Sequence, residues 1–235
     1  MLRKGMTRRH GLAHCTALVV LAAAAIGGVP ASVVAATPSG TERILVVGDS
    51  LSAEYGLQRG SGWVALLEQR LAREGVRAEV VNASISGDTT AGGRSRLGAL
   101  LRQHRPSLVI LELGGNDALR GLPLDESRAN LAVMAQAAKA AGARVLIIGM
   151  QVPPNYGRKY GEQFAALFGS VARAEDTALV PFMLKGVADT PQADAMFQAD
   201  RIHPIAAAHP TILANVWPVL ITLLKQRARA AATSG

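Results

Sequence analysis

Alternating strand and helix signals predict a three-layer α/β/α fold built on a five-stranded parallel sheet. Three observations carry that prediction. Near-continuous apolar runs of strand length recur at 43–48, 107–113 and 143–149, the pattern of strands covered on both faces. Helix-period segments separate them, and the connections are short, as βαβ units require. At 235 residues and 49% hydrophobic, the chain can also bury one substantial core.

In chain order, the first strand is 43–48, with Ile44, Leu45, Val46 and Val47 as its apolar body. A helix follows at 61–74, where Trp63, Leu66, Leu67 and Leu71 share one face by three- and four-residue spacing. Strand 77–83 and helix 92–104 come next, then strand 107–113 and helix 125–141. Strand 143–149, helix 159–175, a weaker strand at 178–182 and a final helix at 207–227 complete the order. Gly75 and Gly142 stand where helices stop, because glycine enters the left-handed conformation of a C-terminal cap without strain.

The first 36 residues do not read as part of that core. Arg3, Lys4, Arg8 and Arg9 form a positive head, and no acid precedes Glu42. An apolar segment runs from about Ala17 to Val29, followed by Val34, Ala35 and Ala36, which fit the small-residue rule for leader cleavage. The apolar run is shorter than the ~20 residues a spanning helix needs. Residues 1–36 are therefore expected to be a secretory signal peptide and 37–235 a single domain, periplasmic or secreted, with no stable membrane anchor. Thr7-Arg8-Arg9 suggests twin-arginine export, but Gly11 replaces the usual bulky apolar residue, so the ordinary route is preferred.

The one cysteine, Cys15, lies in this leader ahead of its apolar stretch, so the mature chain is expected to have no disulfide and no thiolate chemistry. Loss of the four basic residues of the head leaves 21 basic against 17 acidic residues, a net +4. Those charges are scattered, and 4 Phe, 3 Tyr and 2 Trp offer few rings for stacking. A nucleic-acid partner is not expected.

Chemistry concentrates at the carboxyl ends of the strands, where open α/β sheets place reacting groups. The turns there are Gly48-Asp49-Ser50-Leu51-Ser52, then Ser84-Ile85-Ser86-Gly87-Asp88, then Gly114-Gly115-Asn116-Asp117. Near the end of the chain stands Asp200-Arg201-Ile202-His203-Pro204, an acid three residues before a histidine. Ser50 as nucleophile, His203 as base and Asp200 as the group that orients the base are the parts of an acyl-transfer triad. The Ser50 amide, the Gly87 amide and the Asn116 side-chain NH2 are candidate oxyanion donors. Taken singly, each is an ordinary turn residue; their co-occurrence at one sheet edge is what points to catalysis. The Gly-x-Ser-x-Gly elbow of α/β-hydrolases does not fit, because position 52 is serine. His209, inside the last helix pattern, reads as a capping or surface residue rather than a second base.

These four blocks resemble those of the SGNH (GDSL) hydrolase superfamily, whose signatures bear Ser, Gly, Asn and His. The likeness covers nearly all of 43–225 and extends to 113–123 and 154–160, segments similar to those of its multifunctional periplasmic branch of thioesterases, arylesterases and lysophospholipases. The resemblance implies a flavodoxin-like sheet, the triad and donors just named, and no metal or organic cofactor. Two positions depart from it: Arg201 stands where the last block usually has Gly, and Ile205 where it usually has Asn.

The expected substrate is a small-molecule acyl ester or thioester, handled by a monomer. Leu119 and Leu122, in the apolar loop 118–123, and Tyr156 are the expected acyl-chain contacts. A carbohydrate O-acetyl esterase is the alternative enzyme, and a non-catalytic binding protein on the same fold is the alternative class.

Overall fold

A computed structural model describes residues 41–233, with side chains through 226 apart from that of residue 154. The proposed leader lies outside the described residues. Five parallel strands, β1 (Glu42–Gly48), β2 (Ala78–Asn82), β3 (Leu108–Glu112), β4 (Arg144–Ile148) and β5 (Ala178–Val180), form one sheet in the order β2-β1-β3-β4-β5. Helices α1 (Trp63–Arg73), α2 (Thr90–His104), α3 (Gly115–Leu119), α4 (Leu124–Ala140), α5 (Arg158–Ala174) and α6 (His209–Thr233) follow in chain order. α1 packs with α6 on one face, and α4 packs with both α2 and α5 on the other. This is the three-layer arrangement that the sequence predicts, with the flavodoxin-like strand order that the resemblance implies.

Burial explains why the strands are legible. Ile44 to Val47, Leu108 to Leu111 and Leu146 to Ile148 are wholly covered, as central parallel strands must be. The edge strand β2 is only half-buried. Trp63, Leu67 and Leu71 on α1, and Phe164, Leu167 and Phe168 on α5, fill the two layers against the sheet. Each such side chain contributes about 1.5–3 kcal/mol when fully removed from water.

The differences from the expected boundaries are at polar ends. α2 begins two residues early because the Thr89 hydroxyl accepts the Gly92 N–H and caps it. α6 begins at His209 after a separate 3₁₀ turn, Ala206–Ala208. The short helix α3 has no counterpart in the sequence reading, since five residues are too few to show a period.

Strand order reverses at β1. The chain goes from β1 to β2 on one side, then returns past β1 to β3, β4 and β5. The loops leaving β1 and β3 therefore diverge and leave a crevice at their carboxyl ends. Ser50 is two residues past β1 and Asn116 four past β3, so the switch point lies between them.

Candidate active site

Ser50 sits half-buried in a tight turn that is braced from below. Asp49 Oδ1 accepts the Leu51 N–H at 3.0 Å, and the Ala53 N–H bonds the Asp49 carbonyl at 2.9 Å. Beneath the turn, Ser52 Oγ donates to Glu112 Oε2 at 2.6 Å and accepts from Trp63 Nε1 at 3.1 Å. Only glycine fits at position 48: a Cβ there would come within 2.7 Å of Glu112 Oε2 and 2.8 Å of Ser52 Oγ. The turn is thus fixed to β3 and α1 before any substrate arrives.

The His203 loop is held to the same turn from above. Phe197 and Pro204 form an antiparallel bridge, and the Gln198 N–H bonds the His203 carbonyl at 2.8 Å. Gln198 Nε2 donates to the Tyr55 carbonyl at 2.9 Å, joining this loop to the chain just after Ser50. The Tyr55 ring lies against the His203 imidazole, with centroids 4.3 Å apart. His203 Nε2 is then 2.9 Å from Ser50 Oγ, and His203 Nδ1 is 2.7 Å from Asp200 Oδ2.

The electrostatics fix the direction of that line. Partial burial alone would raise Asp200, but N–H groups of His203 and Ile202 and the imidazole outweigh it and hold the carboxyl at about 2. An ionised carboxylate only accepts, so Nδ1 carries the ring proton. Nε2 of the neutral ring is left to accept the Ser50 hydroxyl. Ser50 is thereby placed for deprotonation.

Of the expected oxyanion groups, Ser50 and Asn116 line one cavity, whereas Gly87 is not among its lining residues. Asn116, in the first turn of α3, lines the same cavity as Ser50 and His203. Its Nδ2 donates to Asp49 Oδ2 at 3.1 Å, which orients the amide. The next residue, Asp117, is buried and accepts from the Thr90 N–H at 2.9 Å and from Ser127 Oγ at 3.0 Å, which pins α3 to α2 and α4. Gly87 has φ +80°, a conformation that penalises a side chain, and its carbonyl accepts from Arg120 Nη2 at 2.7 Å.

A cavity of about 890 Å³ opens beside these groups. Its walls are mostly apolar, with Leu119, Met150, Val152, Phe182, Leu184 and Phe197 among them, and Tyr156 also lines it. Leu122 does not. It lies in a second groove with Tyr160, Leu167 and Val171, because the turn from Asp117 to Leu122 carries it past the rim. His209 is not at the surface either. It is 2% exposed, and its Nδ1 accepts the Trp63 N–H at 2.9 Å, so it caps α1 from inside while burial lowers its pKa.

Sequence reasoning passed over two acids. Asp49 and Glu112 are both buried and adjacent, the Asp49 N–H lying 3.4 Å from Glu112 Oε2. Burial raises Asp49 to about 6, against the pull of its Leu51 and Asn116 hydrogen bonds. Burial, then the Asp49 charge, raises Glu112 well above the usual carboxylate range. The signal was present as one acid, Glu112, in an otherwise apolar strand.

The family model for GDSL-like lipases and acylhydrolases matches residues 46–210. The chain belongs to that family. Esterase TesA of Pseudomonas aeruginosa is 54% identical to it over 199 residues, spanning 85% of this chain and 98% of the relative. Thioesterase 1/protease 1/lysophospholipase L1 of Escherichia coli is 43% identical over 171 residues, 73% of this chain and 79% of the relative. Among solved structures, the psychrotrophic esterase EstA of Pseudoalteromonas, inhibited by monoethylphosphonate, is similar with a TM-score of 0.73 at 36% identity, over 78% of this chain and 99% of that one. By family this acylhydrolase is an ester-bond hydrolase.

Proposed function

We propose that this acylhydrolase cleaves carboxylic esters and thioesters of fatty acyl groups through Ser50, His203 and Asp200, by way of an acyl-enzyme. The observation that supports this most is the unbroken hydrogen-bonded line from Ser50 Oγ through His203 to Asp200, opening onto an apolar cavity. His203 Nε2 takes the Ser50 proton as Oγ attacks the carbonyl carbon. Negative charge moves to the carbonyl oxygen, where the Ser50 and Gly87 amides and the free N–H of Asn116 are the donors. Imidazolium then protonates the departing alkoxide or thiolate. Water, activated by the same nitrogen, releases the acid and restores Ser50.

The acyl chain is assigned to the wall formed by Leu119, Met150, Phe182 and Phe197, with Tyr156 at its edge. Each methylene buried there is worth about 0.8 kcal/mol. An aliphatic and phenylalanine-lined wall suits a hydrocarbon chain better than a sugar ring. Action on arylesters, acyl-CoA and lysophospholipids is part of the proposal. So is residence in the periplasm or outside the cell after loss of residues 1–36. The test is hydrolysis of p-nitrophenyl esters from acetate to palmitate by wild type and Ser50→Ala. The expected result is a rate that rises with chain length and vanishes in the variant; a folded Ser50→Ala protein with wild-type turnover would overturn the reading.

A further inference from the structure

We propose that Arg201 is a specificity-determining residue that binds the phosphate of the leaving group, the headgroup phosphate of a lysophospholipid. The inference rests on the acyl-transfer reading above and adds a polar end to its substrate.

Four observations support it. First, Arg201 lines the cavity that holds Ser50 and His203, and it is exposed there. Second, it is the single lysine or arginine on that wall among the described residues; the other formal charges, Asp49, Asp189 and Asp194, are negative. An anion entering the cavity is repelled at those carboxylates and attracted at one point.

Third, no carboxylate has claimed the guanidinium. Arg201 forms no ion pair among the described residues, and its neighbour Asp200 already accepts from His203 Nδ1 and from two backbone amides. Fourth, Arg201 sits at φ +58°, a conformation in which glycine, the residue the resemblance leads one to expect, would be unstrained. A cation stands where the backbone penalises it.

Position tells which part of the substrate it meets. His203 delivers a proton to the leaving oxygen, so groups beside His203 face the leaving group, while Gly87 and Asn116 face the oxyanion. In a lysophospholipid the phosphate is one glycerol unit from the scissile ester, within reach of a side chain two residues from the histidine. In acyl-CoA the whole pantetheine arm intervenes before the first phosphate. Arginine suits the task because its planar fork pairs with phosphate oxygens in two parallel hydrogen bonds.

The experiment compares wild type, Arg201→Ala, Arg201→Gly and Arg201→Lys on three substrates carrying the same decanoyl chain below micelle formation: monoacylglycerol, 1-acylglycerol 3-phosphate and acyl-CoA. Arg201→Gly guards against misfolding, since glycine relieves the backbone. The expected result is a loss of about tenfold or more in the phosphate-to-neutral ratio of kcat/KM for Arg201→Ala and Arg201→Gly, the scale of one charge-assisted hydrogen-bonded contact. The loss should lie in KM, and added salt should erode the wild-type preference but not that of the variants. Arg201→Lys should keep part of it. Equal losses on all three substrates, or none, would overturn the proposal. A loss on acyl-CoA as large as on the glycerol phosphate would assign the contact to the coenzyme instead and overturn the headgroup assignment. Wild type inert toward all three would overturn the acyl-transfer reading itself.

Discussion

The two ends of the sheet treat charge in opposite ways. At the amino end, charges meet their complements near water. Glu42 Oε2 accepts from Arg144 Nη2 at 3.0 Å and from Ser107, and Arg43 pairs with Glu79 at 2.8 Å while its Nη1 donates to the His104 carbonyl at 2.7 Å. At the carboxyl end two acids, Asp49 and Glu112, are buried against each other, and Arg201 occupies a backbone conformation suited to glycine. Among the described residues, five of the six large exposed apolar side chains, Tyr55, Ile85, Leu119, Leu122 and Ile202, lie in the loops and the short helix α3 at that same end. One end is arranged for stability; the other retains conflicts that stability alone would remove, which is where a site is expected.

The sharpest way to break this contrast is at the reacting groups. His203→Ala should leave folding intact and lower esterase kcat by about 10⁴-fold or more, the scale for loss of a member of such a triad. Residual activity near wild type would mean that the Ser50–His203 bond is structural. Next, Asn116→Ala should lower kcat by roughly 10²–10³-fold with little change in KM, because an oxyanion donor acts mainly on the transition state. A loss confined to KM would make Asn116 a ground-state contact.

Leu119→Ala should reduce the octanoate-to-acetate ratio of kcat/KM several-fold, about the effect of one or two unburied methylenes. Leu122→Ala should leave that ratio unchanged, since Leu122 faces the other groove. If the two variants change places, the chain lies in the second groove. The smallest effect belongs to the amino end: Glu79→Ala should cost only about 0.2–1 kcal/mol, as half-exposed pairs do, with kcat unaltered.

pH separates two acids of the active end. Asp49 is raised to about 6, so the folded chain holds a proton that the unfolded chain releases near 4. Its contribution therefore declines as pH rises from about 4 to 6. Asp200 is lowered to about 2, so its contribution is present above about 4 and is lost as pH falls toward 2. Thermal melts should show Asp49→Asn gaining on wild type between pH 4 and 6, and Asp200→Asn gaining only below pH 4. The reverse order would contradict the assigned environments.

How much of this was legible depended on the length of the signal. Strands such as 108–112 are long apolar runs buried on both faces, so composition alone marks them. Ser50, Asn116, Asp200 and His203, which the structure brings into one cavity or one hydrogen-bonded line, could be picked out as candidates because each follows a readable strand or stands in a compact motif. Leu122 was misplaced because a loop sequence does not reveal which side of a short helix it leaves. His209 is a cap, as one half of its reading expects, but a buried one, and its partner, the Trp63 N–H, is 146 residues away in the chain, so no local pattern shows which helix it serves. The Asp49–Glu112 contact spans 63 residues and depends on strand register, which no local pattern records.

Ser50 is the proposed nucleophile, set by His203 at the switch point of the sheet. Treatment with a fluorophosphonate, followed by peptide mapping, tests it directly. The expected adduct is on Ser50 alone, formed in step with loss of esterase activity and absent from His203→Ala. Labelling of Ser52, Ser84 or Ser86 in its place, or activity that survives complete labelling of Ser50, would contradict it.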